Sequence, residues 1–444
     1  MDFALALAFL VFAVSMIGSL IFGYSMLWSL SAGFVGFLCV GLRRGAALPD
    51  LLRMSWGGVK ESFIVARIML TIGVLTGLWR SAGTFAILTA WGLQLITPSL
   101  FLLAAFLLSC ALSYAIGSSF GTAGTLGVAL MTLARSGGVN ELATAGAILS
   151  GIYFGDRGSP ASSCANLVAA LTGSELYDNV RLMMRTATLP LLLALGFHAV
   201  LSLKNPMLGA ENAVMTSMNL DFNMSPLCIL PALIMLALPL FKVKVFPSLL
   251  ASIFCAFLCT LFLQNADVLK ALRFALLGFH APQGSVRAIF NGGGLVSMLE
   301  VSVALILSGT FAGIFDGTGM LADIQARLVR MMDRTSVFFV TLLTGTLSNA
   351  VFCNQTVGVM MTAHIIRRPY EQKGLSHAEL AQDIANSTVI TAGLVPWCLG
   401  CSVPLAMMGV SARAIPYAAY VYLLPLCYAM TKRRWFGGAQ PPAE

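Results

Sequence analysis

The chain has 444 residues, 58% hydrophobic and only 10% charged, with a mean hydropathy of +0.88. Soluble domains carry about 25% charged and about 45–50% apolar residues, so a soluble globular protein is excluded and the expected fold class is an all-α polytopic membrane protein. The net charge of +8 does not indicate nucleic acid, because the basic residues lie at the ends of apolar runs: Arg43 and Arg44, Lys242 and Lys244, Arg327, Arg330 and Arg334, Arg367 and Arg368, Lys432 to Arg434. That is the pattern of cytoplasmic loops, and it puts both termini inside.

The first run, MDFALALAFLVFAVSMIGSL, has no basic flank and no clear cleavage site, so it reads as a retained transmembrane helix. Apolar spans follow near 24–42, 62–80, 83–97, 99–116, 118–134, 141–155, 186–203, 224–241, 245–263, 294–315, 336–347, 349–366, 384–395, 397–411 and 414–430. Several are too short to cross a bilayer alone, which gives roughly 11–13 crossings with the short spans as half-helices or hairpins. Residues 45–60 and 265–290 mix Pro, Gly and charge and look interfacial; the longest polar stretch, 367–383, reads as a loop. The ten cysteines are scattered as small hydrophobes, and the one CxxC, Cys398 to Cys401, has no His or second pair beside it. No GxxxxGK[ST] or HExxH string is present, which argues against ATP drive and a zinc hydrolase; an enzyme is not expected and no cofactor is implied.

An internal similarity appears when the chain is shifted by 236 residues. Residues 57–83 then fall on 293–319, with Gly57, Gly58, Gly73, Gly77 and Gly83 on Gly293, Gly294, Gly309, Gly313 and Gly319, and Pro160 falls on Pro396. The strings TLGV (125–128) and TVGV (356–359), and ELA at 141–143 and 379–381, match at slightly different offsets, as loops of changing length would cause. The expected organisation is 1–56 N-terminal transmembrane helices and an interfacial segment, 57–203 repeat 1, 204–292 connecting transmembrane helices, 293–430 repeat 2, and 431–444 a cytoplasmic tail. Two such halves point to a secondary transporter with inverted repeats and discontinuous helices at the midplane, where substrate and coupling ion bind.

The polar residues inside these spans supply the candidate site. Pro160 removes a backbone donor and breaks a helix among Asp156, Ser159, Ser162, Ser163 and Asn166, and Pro396 repeats the device after Asn386, Ser387 and Thr388. Irregular backbone at membrane depth is tolerated where it is buried or lines a cavity, and freed carbonyls and helix ends can ligate ions. The run 113–127 offers Ser118, Ser119 and Thr122, and its counterpart 345–358 offers Asn349, Asn354 and Gln355. Small residues alone would be explained by close helix packing, but three amides within seven residues are not. Asp156 either pairs with Arg157 at a helix end or serves transport, as intramembrane carboxylates usually do. Glu61 and Arg67 read as interfacial, Glu300 and Asp316 bracket one span, and His198 and His364 read as satisfied or interfacial residues near helix ends.

AILSGIYFGDRGSPASSCANL (147–167) resembles the signature of the NhaC-type sodium/proton antiporter family, which usually reads AxxSGxYFGDKxSPxSDTTNL. The likeness extends to GSSFGTAGTLGVAL, GLWRSAGT, GTFAGIFDGTGML and LVPWCLG, and covers roughly residues 57–430. It implies an inverted repeat, broken helices at the centre of each half, and ion-coupled transport across the cytoplasmic membrane, with a transported Na+ at Asp156 and no resident metal. Asp156, Ser159, Pro160, Ser162 and Asn166 match the signature. Arg157 stands for the usual Lys, Ser163 for an Asp, and Cys164 and Ala165 for two Thr, so one carboxylate and two hydroxyls are missing. The expected function is therefore sodium(cation)/proton antiport, with a sodium- or proton-coupled carrier of a small organic acid or amino acid, steered by Arg157, as the alternative. The expected partners are the lipid bilayer and the transported Na+, H+ or organic solute, not nucleic acid; a homodimer is left open.

Overall fold

A computed structural model describes residues 3–22, 24–95, 97–160, 162–207, 221–241, 243, 245–280, 291–320, 330–332 and 335–436. Among them there is no β-strand, only an isolated bridge between Phe279 and Gly292. The chain is an all-α polytopic membrane protein, and large apolar side chains such as Leu10, Phe22, Trp28, Leu192 and Phe254 point outward from its helices.

Two peripheral helices, α1 (Phe3–Phe22) and α2 (Met26–Arg43), pack against each other through Phe9, Phe12 and Phe37. Then comes α3 (Leu48–Ser81), continuous over 34 residues and about 51 Å long. The sequence reading had placed 45–60 at the interface and begun the span at 62. Pro49 sits in the first turn, where proline starts a helix, and Gly57 and Gly58 serve packing and not breakage. On Gly58, Gly309 and Gly313, α3 crosses α14 (Leu299–Thr318) in backbone contact. Between these lie α4 (Thr84–Leu95), α5 (Phe101–Ile116), α6 (Ser119–Thr122), a π-helical turn (Ala123–Gly127), α7 (Val128–Ser136), α8 (Glu141–Gly158), α9 (Ser163–Thr172), α10 (Leu176–Lys204), α11 (Leu230–Leu240), α12 (Val245–Phe262) and α13 (Val268–Leu277). After α14 come α15 (Val337–Phe352), α16 (Gln355–Gln372), α17 (His377–Asn386), the short α18 (Thr388–Thr391), α19 (Leu399–Met408) and α20 (Ala419–Phe436).

Residues 367–383 are not a loop. They form the end of α16, a tight turn at Gly374 (φ 66°), and most of α17, which Ser376 caps through its Oγ at 3.1 Å from the Glu379 N–H. Polar composition misled here because α17 is amphipathic and its polar residues are buried.

Helix ends recur with a constant spacing of 236 residues. The ends of α5 match those of α15, and each is followed by a left-handed corner, Gly117 (φ 70°) and Cys353 (φ 53°). Ser118 and Asn354 are the extended caps that follow. Next come the turns at Gly138 and Gly374, the caps Asn140 and Ser376, and finally α9 and α19, closed by Gly173 (φ 69°) and Gly409 (φ 70°). The TLGV and ELA strings fall outside this register: the offset of the helix ends does not wander, because each tight turn fixes its own length. The halves differ in one place. Where α8 is continuous, the second half is unwound at Ser387, between α17 and α18, and again through 392–398.

Candidate functional site

α8 is buried from Ala143 to Gly158. It is capped by Asn140, whose Oδ1 accepts from the Ala143 N–H at 3.1 Å. Gly151 and Gly155 let it press onto α5: a Cβ on Gly151 would stand 2.7 Å from the Phe106 carbonyl, and one on Gly155 would meet the Ser113–Tyr114 backbone. The helix ends where Pro160 can offer no N–H. The two ends are then stitched together. Ser162 Oγ donates to the Asp156 carbonyl and accepts from the Cys164 and Ala165 N–H groups at 3.1 and 3.3 Å. Asn166 Nδ2 donates to Pro160 O and Ser162 O at 3.0 and 2.7 Å, and Ser159 Oγ donates to Tyr114 O at 2.5 Å.

The Asp156 carboxylate, only 4% exposed, lies where the corners of the two halves meet. Its Oδ2 accepts from Gln355 Nε2 at 3.1 Å, and Ser119 donates to the same carboxylate through both its N–H and its hydroxyl. Ser119 opens α6 and Gln355 opens α16, so two helix N-termini, each with unspent N–H groups, face one acid. Gln355 Nε2 also donates to Val389 O at 2.9 Å, which ties the acid to the unwound part of the second half. Leu399 N donates across to Cys353 O at 2.8 Å and joins the two second-half breaks.

The other candidates divide. Ser118 and Asn354 cap α6 and α16: Ser118 Oγ accepts from Gly121 N at 3.0 Å and Asn354 Oδ1 from Thr356 N at 2.9 Å. Thr122 spends its hydroxyl on Ser118 O at 2.9 Å. Asn349 Nδ2 donates to Thr388 O at 2.7 Å and to Thr391 Oγ1 at 3.2 Å. Its first-half counterpart, 236 residues earlier, is Ser113, whose Oγ donates to Ile152 O at 2.5 Å. Asn386 and Thr388 are buried with side-chain atoms that have no partner among the described residues, and neither bonds to Asp156 there. Ser163 and Asn166 lie exposed on α9. Pro396 sits in the turn run before α19, beside Trp397, whose Nε1 donates to Ala350 O at 2.8 Å.

Arg157 does not wall the Asp156 site. It is buried on the opposite side of α8, where Nη2 donates to Met183 O at 2.9 Å and Thr186 Oγ1 at 2.8 Å and Nη1 to Tyr420 Oη at 3.3 Å. Neither pairing with Asp156 nor steering of an anion is what this geometry gives it. His198 is not interfacial: it is fully buried between the rings of Phe106 and Phe197. His364 is exposed, with its Nδ1 3.0 Å from Met360 O. Glu300 is exposed and accepts from Ser25 Oγ, while the side chains of Glu61 and Asp316 lie outside the described residues. A cavity of about 290 Å³ between α3, α14 and α16 is lined by Gly58, Ser62, Gly309, Gly313, Asn354 and Met361 and ends at the cap of α16, one residue from Gln355.

Sequence reasoning missed a second ionic cluster. Asp383 is fully buried and accepts from Tyr370 Oη at 2.5 Å, from Tyr428 Oη at 2.8 Å and from Lys432 Nζ. Lys432 Nζ also pairs with Glu379 Oε1 at 2.8 Å. Asp383 had been assigned to a loop; the usable signal was the apolar spacing of Leu380, Ala381 and Ile384 around it.

Broken helices paired across two halves, meeting at a buried carboxylate, define a secondary transporter of the antiport class. The chain belongs to the Na+/H+ antiporter family, whose profile matches residues 1–165 and 151–431. It is similar to a Haemophilus influenzae protein named as an uncharacterised Na+/H+ antiporter, at 27% identity over 88% of this chain and 86% of that one. It is also similar to a Bacillus subtilis malate-2H+/Na+-lactate antiporter, at 28% identity over 82% and 79%, and to the Halobacterium salinarum arginine/ornithine antiporter ArcD, at 28% over 88% and 86%.

Proposed function

We propose that the protein exchanges sodium ions for protons across the cytoplasmic membrane, with Asp156 as the carboxylate that holds them in turn. The observation that carries this reading is the setting of Asp156: buried, at a helix break, contacted from both halves, and with no ion-pair partner among the described residues. A buried carboxylate without a cation is costly, and either Na+ or H+ removes that cost. Two ions that neutralise one acid compete for it, and competition at a site opened alternately to each side is exchange. Ser119, Gln355 and the hydroxyls and carbonyls of the 159–166 break are the oxygen ligands within reach of the same region. The constant spacing of helix ends supports an inverted repeat, which would let the halves rock about this point.

One observation favours a second reading, coupled transport of a small organic solute. The cavity at the Asn354 cap is larger than a bare ion needs. The deciding experiment is flux into proteoliposomes under imposed sodium and pH gradients, with and without malate, lactate, arginine and ornithine. Sodium uptake driven by a pH gradient alone is the expected result. Uptake that appears only with one of the organic solutes would replace the first reading with the second.

A further inference from the structure

We propose that Asp383, with Glu379 and Lys432, is a second proton-binding site, separate from Asp156 and reached from the cytoplasmic side. The proposal rests on the antiport reading above. Its ground is a count of charges in one buried place. Lys432 Nζ is shared by the Asp383 and Glu379 carboxylates, so two acids divide one ammonium. Fully ionised, the trio keeps one negative charge in excess, and one bound proton neutralises it.

The groups around Asp383 can be followed element by element. Tyr370 comes from α16 and is also held by Thr341 of α15 at 2.8 Å; Tyr428 and Lys432 come from α20; Glu379 lies one turn earlier on α17 itself. Toward α10, Gln382 donates to Asn179 O at 3.0 Å, and toward α9 the His377 ring nitrogen lies against Thr172 O. Beyond Tyr428 stands Arg157 of α8, within electrostatic reach of that hydroxyl but with its own hydrogen bonds on neutral oxygens.

A buried ion pair is a poor stabilising device, since apolar side chains of similar volume serve as well or better. The arrangement is better explained by exchange of a proton. Access follows from the helix that carries Lys432. Its last turn holds Arg433 and Arg434, the basic end expected at the cytoplasmic surface, and Lys432 and Glu379 keep 15% and 10% of their side chains exposed. Tyr420, Tyr428 and Lys432 are spaced by eight and four residues, so they share one face of α20. That face runs about 18 Å, from the surface lysine to the tyrosine that bonds Arg157, the neighbour of Asp156.

The test is the pH profile of flux in proteoliposomes of the full chain, with the pH varied on the side of the basic end of α20 and held fixed on the other. Glu379→Gln removes a negative neighbour, so the midpoint of the profile should move toward acid by roughly half a pH unit. Lys432→Gln removes the positive one and should move it toward alkali. Asp383→Asn should abolish that transition. Asp383→Asn combined with Lys432→Gln leaves no charge unpaired, so a merely structural ion pair would be relieved and the wild-type profile restored; the expected result is that the transition stays absent. Profiles of Glu379→Gln and of the double variant that superimpose on wild type would overturn the proposal. Failure of the Asp156 reading looks different: Asp156→Asn would then transport normally, while the Glu379 and Lys432 variants still moved the midpoint.

Discussion

Replacing Asp156 by Asn separates binding from folding. The carboxylate takes one bond from Gln355 and two from Ser119, all donated to it. An Asn side chain has a single oxygen, and its amide nitrogen must face at least one of those donors, which costs about 1–3 kcal/mol for an unmade buried hydrogen bond. The shape is kept, so the variant should insert and purify with a modestly lowered melting temperature. The charge that would hold sodium is gone. Wild-type protein at a sodium concentration 100 times the dissociation constant gains about 2.7 kcal/mol, because ligand binds only the folded state. Melting of the purified protein should therefore rise with sodium in wild type and stay flat in Asp156→Asn, with choline as the control cation. Equal sodium-dependent stabilisation of the variant would refute the assignment of Asp156 as the ion's ligand.

Ser162→Ala removes both the cap of α9 and the bond to the Asp156 carbonyl, and should cost about 1–2 kcal/mol in denaturant stability together with most of the coupled flux; full flux would show that the stitched break is not needed. Gly58→Val puts a side chain against the Gly309 carbonyl and the Gly313 N–H, so α3 and α14 must part, at about 3 kcal/mol or more; Gly57→Ala, with nothing within 4 Å of its Cβ, should lie within about 0.5 kcal/mol of wild type, and equal melting of the two variants would contradict the packing argument. Ser163→Asp adds a carboxylate to the first turn of α9, where a helix end favours negative charge, and should lower the sodium concentration for half-maximal flux; an unchanged value would mean that Ser163 faces away from the ion path.

The parts of this fold visible in the sequence were those written in local patterns. α1 and α2 were apolar runs of spanning length, and the Pro160 break announced itself by a helix breaker among hydroxyls. The 236-residue offset came from glycines, which are legible because close backbone contact leaves no alternative residue. What stayed hidden depended on partners far along the chain. The Lys432 ammonium that meets Asp383 lies 49 residues away and on another helix. Arg157 looked like a wall of the Asp156 site because the two are adjacent, yet successive helical residues point in different directions. Cys353 takes a left-handed corner that glycine fills in the first half, and no propensity marks a cysteine for it. The amides divided in the same way. Gln355 was named for its type and does reach Asp156, whereas Asn386 does so through no bond among the described residues.

The constant spacing of helix ends also says where this protein can be opened. The turns at 137–140 and 373–376 look like ordinary loops, tempting sites for an epitope or a split fluorescent reporter. Each is a spacer of fixed length that sets the rotation of the next helix, and one added residue there would turn α8 or α17 by about 100° and carry Asp156 or Asp383 off its partners. The α2–α3 turn is different. Gly45 has φ of 89° and nothing within 4 Å of the space its side chain would fill, and Ala47 beside it is exposed. A reporter inserted there leaves every corner of both halves in register, and makes the natural handle for watching the protein in a living membrane.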